Sequence, residues 1–469
     1  MNETYTKAER NRYLLGLSGQ NIIYGIITSS LAYFLQFTIL IPSVWVGIIL
    51  SISRIFDAVK DPFVGALLNK SKLQFKDYLI ILPIPTSILT VLCFTNGVYS
   101  PSNGLAKNTA IIVFAFACYL LWEIVFTLGD IPITGYPAVI TTSDSDRTKL
   151  MSLRPLGAMA CSISTLLIQP TAFAVSNKLG ESIADERNGF LITVAVFSVL
   201  GGTLFQMTAI GSKQRVNNTT DCKQNQLKYF FTNPLLKKIC ISGILGSLKS
   251  TPGIVLTPLV TYYFANKSPK LSLLYTFLFG LGSFLGMAIS MILTPKLSKK
   301  YENKRVYAIT NIMNIIPNIL LFVLYLSHKQ SMANAFELLL TFLLSLISGS
   351  LISISSTMQT LIISDAIELE EKTSGKRPAA LFFSCQTFII KIGSGLSSLV
   401  VSLGYALIHF SSQAADRLNQ YIASGGIPRM SAQYTPLMTT LFFMYTIPVA
   451  LSSLLAALVF YRKKAKNFN

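Results

Sequence analysis

The sequence has few charged residues and almost no histidine. Charged residues make up 13% of the 469 residues, hydrophobic residues make up 51%, and the two histidines are His328 and His409. Soluble globular domains carry about 25% charged residues. The composition therefore excludes an ordinary soluble protein and predicts an integral membrane protein. Neither histidine has a neighbour at the spacing of metal ligands, which argues against a zinc site.

Paired cysteines are also missing. The six cysteines stand singly, mostly inside apolar stretches, and no Cys-x-x-Cys pair occurs. We therefore expect them to be small core residues. Because the sequence has no clustered nucleophile either, it offers no catalytic constellation. We expect neither an enzyme nor a bound cofactor.

Acidic residues are about half as frequent as basic ones, 20 against 39, and the formal net charge is +19. Such a charge is also typical of nucleic-acid binding, but the chain has no soluble stretch long enough to carry that surface. The loop lysines and arginines lie mostly on the side that carries both termini. The positive-inside rule then predicts a multi-pass protein of the cell (plasma) membrane, in contact with the lipid bilayer, with both termini cytoplasmic.

Long apolar stretches dominate the sequence. Roughly 20 residues are needed to cross about 30 Å of hydrocarbon, and twelve such stretches occur, at residues 14–37, 44–68, 78–99, 109–140, 151–175, 189–211, 235–265, 271–295, 305–327, 335–363, 378–410 and 433–461. We predict an all-α membrane protein with twelve transmembrane helices in two six-helix bundles. The bundles would comprise residues 1–211 and 234–469, joined by a cytoplasmic connector at 212–233.

The second apolar stretch carries four charges within a few residues. On a helix, Arg54, Asp57 and Asp61 share one face, and Lys60 directly precedes Asp61. Ionisable groups inside a membrane cost about 2.5 to 3.5 kcal/mol each, so they usually face the protein interior and handle ions or substrate. The alternative is a buried ion pair that holds two helices together.

The fourth stretch carries a similar face, formed by Glu123, Thr127 and Asp130. Pro132 removes a backbone donor, and we expect it to interrupt the helix. If this face meets that of the second helix, carboxylate and hydroxyl oxygens from two helices surround a small volume. Such a volume suits a hard monovalent cation or a proton carrier, and a purely structural polar patch between the helices is the alternative.

Three basic residues lie at comparable depth. Arg154 opens the fifth stretch and is expected to pair with Asp57 or Asp130, or to bind a hydroxylated or anionic substrate. Lys249 and Lys391 lie in apolar stretches of the second half without a nearby acid in the sequence. Each is predicted either to extend to the water interface or to line a polar cavity.

Together these residues resemble a known family, the glycoside–pentoside–hexuronide:cation symporters, which form the melibiose-permease branch of the major facilitator superfamily. The resemblance rests on motifs spread from about residue 10 to 410, namely 54–65, 130–132, Arg147 with Arg154, 365–368 leading to 373–377, 391–393 and 404–405. It implies the twelve-helix major facilitator fold, alternating access, and sugar uptake driven by sodium or proton entry. We expect a monomer whose partners are a sugar and a monovalent cation.

The resemblance also implies roles for individual residues. The acids that match Asp57 and Asp61 form the cation site in melibiose permeases together with the hydroxyl that matches Thr127, so a sodium ion is a candidate there. The acid that matches Asp130 contacts the sugar beside that site, and the arginine that matches Arg154 also faces the sugar. In the second half, we expect Lys391 and Lys249 to contribute to substrate binding, and the segment with Asp365, Glu368 and Arg377 to act as a cytoplasmic gating loop.

The chain departs from melibiose permeases at several positions. Their first helix carries a Lys-Asp pair that helps to bind galactosides, whereas this chain has Gln20 and Asn21 there, which we expect to contact a different substrate. Lys60 places a fixed cation where those permeases have a neutral residue, and Glu123 is an added acid. We assign Arg54, Lys60 and Glu123 a supporting electrostatic role. The alternative function is an uncoupled facilitator or exchanger of another amphipathic solute on the same fold.

Overall fold

The computed structural model describes residues 5–70, 73–141, 144–151, 153–180, 182–215, 233–374 and 379–461. Within these ranges all regular structure is helical, and the predicted all-α class is confirmed. The predicted connector at 212–233 lies outside the described residues, except for residues 212–215 and 233.

Eight helices lie in the described part of the first half of the chain. Capping boxes precede the helices that start at Lys7 and Ile183, formed by Thr6 with Glu9 and by Ser182 with Asp185. A π-helical turn, Phe34–Thr38, follows α1. The helices are α1 (Lys7–Tyr33), α2 (Ser43–Lys70), α3 (Phe75–Ile81), α4 (Pro83–Leu92), α5 (Leu105–Ile140), α6 (Asp144–Met151), α7 (Arg154–Leu179) and α8 (Ile183–Gln206).

The second half of the described chain also contains eight helices. A 3₁₀ turn, Ser247–Ser250, precedes α10, and a π-helical turn, Val260–Phe264, follows it. The helices are α9 (Pro234–Leu245), α10 (Thr251–Leu259), α11 (Pro269–Lys300), α12 (Asn303–Ser327), α13 (Ala335–Ser374), α14 (Ala379–Leu407), α15 (Ser412–Ala423) and α16 (Thr435–Tyr461).

Helical segments occupy all twelve predicted stretches. In the described part of the chain, nine segments are long and apolar enough to cross a bilayer, and the bent pair Pro234–Leu245 with Ser247–Phe264 would be a tenth. Helices α1 and α2 contain 27 and 28 residues, which is also sufficient length, but they fall outside this set. In α2 the charges of Arg54, Asp57 and Lys60 reduce the apolar character. The membrane fold is therefore confirmed, while the number twelve stays a prediction.

Two expectations about helix ends are wrong. The fourth predicted span is not interrupted at Pro132, because α5 continues through Pro132 and Pro137 to Ile140; helices in membranes tolerate proline when neighbouring groups satisfy the freed carbonyls. Asp365 and Glu368 lie within α13 rather than in a loop. The cause is local: this segment is rich in glutamate, a good helix former.

The first compact unit contains the described residues up to 215 together with Ala265–Leu273 and His409–Gly426. Within it, α1 packs against α7 and α8, and α2 packs against α5. A Cβ atom at Gly19 would lie 2.3 Å from the backbone nitrogen of Phe205, so α1 and α8 cross in direct backbone contact, as small residues permit. The second pairing, α2 with α5, joins the two charged helices.

The second compact unit contains the described residues 233–264, Leu274–Ile408 and those from Ile427 onward. Helix α12 packs against α13 and α16, and the apolar core around Ile239, Met358, Ile362 and Phe382 is fully buried. The predicted bundle limits, 1–211 and 234–469, stay a prediction, since two short segments of the second half belong to the first unit.

Hydrogen bonds join the start of α1 to the segment that follows α8. The buried Glu9 carboxylate accepts hydrogen bonds from both Nη atoms of Arg215, at 3.1 and 3.2 Å, and from the Lys213 backbone at 3.0 Å. Arg215 Nη1 also donates to the Ile140 carbonyl oxygen at the end of α5. Burial by itself would raise the pKa of Glu9, but the bonds from Arg215, Thr6 and Lys213 outweigh it and lower this pKa to about 2.

We predict that Glu9→Gln destabilises the purified protein at pH 7 by about 1.5 to 3 kcal/mol, the range for hydrogen bonds to a charged group. Because the folded pKa lies below the ordinary value, this contribution is complete above pH 4.5 and is lost as the pH falls toward 2. Melting temperatures in detergent should therefore differ at pH 7 and converge below pH 4.5. Glu302→Gln, at a side chain 66% exposed, is the control and should change little.

Candidate functional site

The charged faces of α2 and α5 meet inside the first unit, as expected if the two helices are neighbours. Arg54, Asp57 and Lys60 come from α2, and Glu123 and Thr127 come from α5; each is at most 7% exposed. Spacings of three and four residues align these side chains along each helix. Because all five side chains are buried from water, their charges must be compensated by one another and by nearby polar groups.

The Lys60 ammonium lies at the centre of this cluster. It donates to Asp57 Oδ1, to the Glu123 carbonyl oxygen at 2.7 Å and to Thr127 Oγ1 at 2.8 Å. Thr127 Oγ1 in turn lies 2.9 Å from Asp57 Oδ1 and 2.8 Å from the Glu123 carbonyl oxygen. A lysine has three N–H donors. Each of the three therefore has an oxygen partner, contributed by two helices.

A second ion pair lies about two turns away along α2. Arg54 Nη1 lies 3.2 Å from Glu123 Oε1, and the guanidinium lies over the rings of Tyr24 and Tyr119, 5.4 and 5.9 Å from their centroids. Aromatic faces attract a cation when water is excluded. This pair matches the alternative stated for the charged stretch, a buried bridge between two helices.

A hydrogen-bonded chain connects α1 to α5 at Asp130. Gln20 Nε2 donates to Asp130 Oδ1 at 2.8 Å, and Asn21 Nδ2 donates to Gln20 Oε1 at 2.8 Å. Asp130 lies three residues after Thr127, so it occupies the same side of α5 one turn further on. Of the two amides that replace the charged pair of melibiose permeases, Gln20 thus contacts the acid expected to meet the sugar, and Asn21 contacts Gln20.

Several predicted site residues lie elsewhere or outside the described part. The side chains of Asp61 and Arg154 are outside it, as is Arg377 altogether. In the second unit, Asp365 accepts hydrogen bonds from Asn303 Nδ2 at 3.1 and 3.3 Å. Glu368 is exposed on α13, and Lys391 is half-buried on α14.

Lys249 lies in the 3₁₀ turn between α9 and α10. Its ammonium donates to Asn311 Oδ1 and lies 3.5 Å from Ser355 Oγ, and the Tyr307 ring centroid is 5.8 Å away. These partners are neutral, and the ion pairs formed by the described residues do not include Lys249. The side chain is half-buried. The described side chains therefore provide Lys249 with hydrogen-bond acceptors but with no opposite charge.

Our reading of the sequence missed a row of asparagines on α12. Asn311, Asn314 and Asn318 are buried and bond to serines of the neighbouring helices: Asn311 to Ser355, Asn314 to Ser453 and Asn318 to Ser348. Their spacing of three and four residues within an apolar stretch was a readable signal. Because Asn311 contacts Lys249, the row extends the polar surroundings of Lys249 along one face of α12.

A partly buried ion pair near the start of α8 was also missed. Lys267 Nζ lies 2.5 Å from Glu186 Oε2, and Thr38 Oγ1 donates to Glu186 Oε1 at 2.6 Å. Nearby, Asn419 Nδ2 donates to the Phe37 carbonyl oxygen at 3.0 Å. By the predicted topology this is the outer end of the unit. No local sequence signal joins these residues, because they are far apart along the chain.

Comparison with known proteins identifies the family. Residues 12–465 match the family model described as MFS/sugar transport protein. The chain belongs to this family. Since the family consists of membrane transporters, the protein is a transporter and not an enzyme, and the resemblance to glycoside–pentoside–hexuronide:cation symporters is confirmed.

Relatives and solved structures agree with this assignment. YagG of Escherichia coli (strain K12), named as a putative glycoside/cation symporter, is 24% identical over 87% of this chain and 85% of its own length. The isoprimeverose transporter of Lactiplantibacillus pentosus is 22% identical over 88% and 83%. The crystal structure of a D-xylose-proton symporter superposes with a TM-score of 0.62 at 15% identity, covering 97% of each chain. This last likeness shows the major facilitator fold.

We predict that the Arg54–Glu123 pair behaves as a coupled structural unit. Glu123→Met alone should cost about 3 to 5 kcal/mol, because it leaves a guanidinium buried without its carboxylate. Adding Arg54→Met should restore part of that loss, since a well-packed apolar pair can replace a buried ion pair. Melting temperatures of both single variants and the double variant measure the coupling. The exposed pair Lys304–Glu302 is the control, and strictly additive losses at Arg54 and Glu123 would contradict the prediction.

Proposed function

We propose that the protein is a secondary active symporter that takes up a sugar together with a cation by alternating access. The substrate class is a glycoside, pentoside or hexuronide, and the cation is sodium or a proton. The family and the names of the relatives support this proposal. A cell membrane location with both termini in the cytoplasm, and a monomeric state, complete the proposal.

One observation carries the proposal: two polar clusters adjoin on α5. Asp57 and Thr127 belong to the charged cluster, and Asp130 with Gln20 and Asn21 belongs to the hydrogen-bonded chain one turn away. A cation bound at the first cluster and a hydroxylated ligand at the second would share the same helix. Each ligand would then stabilise the same closed arrangement, and the coupling between them would be reciprocal.

The roles follow from this arrangement. Asp57, Asp61 and Thr127 would carry the coupling ion, with Asp130 at its edge. Asp130, Gln20 and Asn21 would bind sugar hydroxyls from the first unit, because carboxylate and amide groups can accept and donate several hydrogen bonds. Arg154, Lys391 and Lys249 would contribute donors. Asp365 and Glu368, with Arg377, would take part in gating on the cytoplasmic side.

Lys249 favours a more specific candidate, an anionic sugar such as a uronide. Its described partners, Asn311 and Ser355, are neutral. An ammonium whose described partners are all neutral is costly at membrane depth, and a substrate carboxylate would compensate its charge during transport. A neutral glycoside offers no such compensation.

We predict gradient-driven accumulation in proteoliposomes for at least one member of a panel of labelled neutral glycosides, pentosides and uronides. Asp130→Asn should reduce uptake strongly, because it removes the negative charge of the carboxylate that accepts from Gln20 and replaces one acceptor oxygen with a donor. Asp57→Asn should abolish accumulation above the external concentration while leaving the protein folded in size-exclusion chromatography. Asp416→Asn, on α15, is the control. Simple equilibration of substrate by the wild type, unchanged in Asp57→Asn, would favour the facilitator instead.

We further predict that Lys249→Gln changes substrate selectivity. Uptake of a uronide should fall by about tenfold or more, the usual loss for a charged hydrogen bond, while uptake of a neutral glycoside should change little. Lys270→Gln, a lysine at the start of α11, is the matched control. An equal loss for both substrates would mean that Lys249 has a general structural role.

A further inference from the structure

The inference concerns Lys60 and presupposes the symport proposed above. Its ammonium is held by three oxygens: Asp57 Oδ1, the Glu123 carbonyl oxygen and Thr127 Oγ1. A carboxylate, a backbone carbonyl and a hydroxyl are the oxygen types that coordinate hard metal cations in proteins. In this protein these three oxygens surround Lys60 Nζ instead of a metal ion.

The oxygens that Lys60 contacts are the ones a sodium ion would need. Asp57 and Thr127 are two of the three ligands predicted for a sodium site. A sodium ion and the Lys60 ammonium cannot occupy the same space between Asp57 Oδ1 and Thr127 Oγ1. Sodium could enter only if Lys60 withdrew from all three partners, and the ammonium would then lose every hydrogen bond described for it in a buried setting.

The local charge balance leads to the same result. Among the described side chains of the cluster, the cations Arg54 and Lys60 face the anions Asp57 and Glu123, and all four are buried. The charges of these four side chains sum to zero. A bound sodium ion would introduce an extra positive charge where water is excluded, which is unfavourable unless a further anion compensates it.

The position of Lys60 on α2 explains why its ammonium can reach these three oxygens. It lies three residues after Asp57, so both side chains project from the same helical face. The unbranched stem lets the ammonium reach across to α5, where Thr127 and the Glu123 carbonyl lie. An uncharged side chain at position 60 would leave those oxygens without this cation.

We propose that Lys60 is a tethered cation that permanently fills the sodium position, and that transport by this chain is therefore independent of sodium. The proton gradient then drives the symport. Lys60 acts as a specificity-determining residue for the coupling ion. Replacing it with a neutral side chain opens the oxygens of Asp57 and Thr127 to an external cation.

Sodium binding to the purified protein tests this without knowledge of the sugar. We would measure ²²Na⁺ binding, and the sodium-induced shift of the melting temperature, at constant ionic strength with choline as the replacement cation. The wild type should show no saturable binding and no shift. Lys60→Asn should show both, and Asp57→Asn combined with Lys60→Asn should lose them. Lys149→Asn, at a side chain 65% exposed, is the control and should behave as the wild type.

Transport provides the second readout. In proteoliposomes at fixed pH, sodium should leave wild-type uptake unchanged and should stimulate Lys60→Asn about 5-fold or more, the lower end of typical coupling between two ligands. If no sugar accumulates under any gradient, the symport proposal fails, while the binding experiment still decides the role of Lys60.

Two results would overturn the inference. One is saturable sodium binding, or sodium-stimulated uptake, in the wild type. The other is a folded Lys60→Asn protein that binds no sodium. Lys60→Met, which keeps the length of the side chain but has no oxygen, provides a second variant if Lys60→Asn is poorly folded. The wild-type measurement alone can refute the inference in any case.

Discussion

Mutual compensation of buried charges between α2 and α5 is the constraint on which the first unit depends. Arg54 with Glu123, and Lys60 with Asp57, bring four ionisable groups into a space that excludes water. Each group alone would be costly at membrane depth. Because Arg54 pairs with Glu123 of α5, and Lys60 also donates to Thr127 and to the Glu123 carbonyl oxygen, the two helices must pack in one register for these charges to be satisfied. The cluster therefore determines helix position as well as local chemistry.

The same cluster places a structural ion pair next to the candidate functional residues on α5. Glu123 contributes its carboxylate to Arg54 and its backbone carbonyl to Lys60. Thr127 follows one turn later, and Asp130 another turn later meets Gln20. Along α5, the ion pair of Glu123 with Arg54 is thus followed by the oxygen ligands of Lys60 and then by the hydrogen bond between Asp130 and Gln20.

Much of this could be predicted from the sequence, and the reasons are physical. The cost of charges in an apolar stretch, combined with helical spacing, was sufficient to predict one polar face on each helix, and the resemblance to melibiose permeases implied that Asp57 and Thr127 lie in one site. It was not sufficient to predict that Lys60 would take the central position, because that depends on the depth and rotation of α5 relative to α2. The asparagines of α12 had a readable periodicity. No local pattern predicts that α5 continues past Pro132, because neighbouring groups decide whether a proline ends a helix.

The contacts of Glu9 with Arg215 and of Glu186 with Lys267 join residues far apart along the chain, so no local pattern announces them. The contact of Glu186 with Lys267 affects the order in which the units can assemble during synthesis of the protein. The first unit includes Ala265–Leu273 and His409–Gly426, whereas domains generally fold in order as the ribosome delivers them. Here the amino-terminal unit lacks Lys267 and Asn419 until most of the chain has been made. Its final assembly must wait for the other unit to be translated, so the two units mature in an interleaved order.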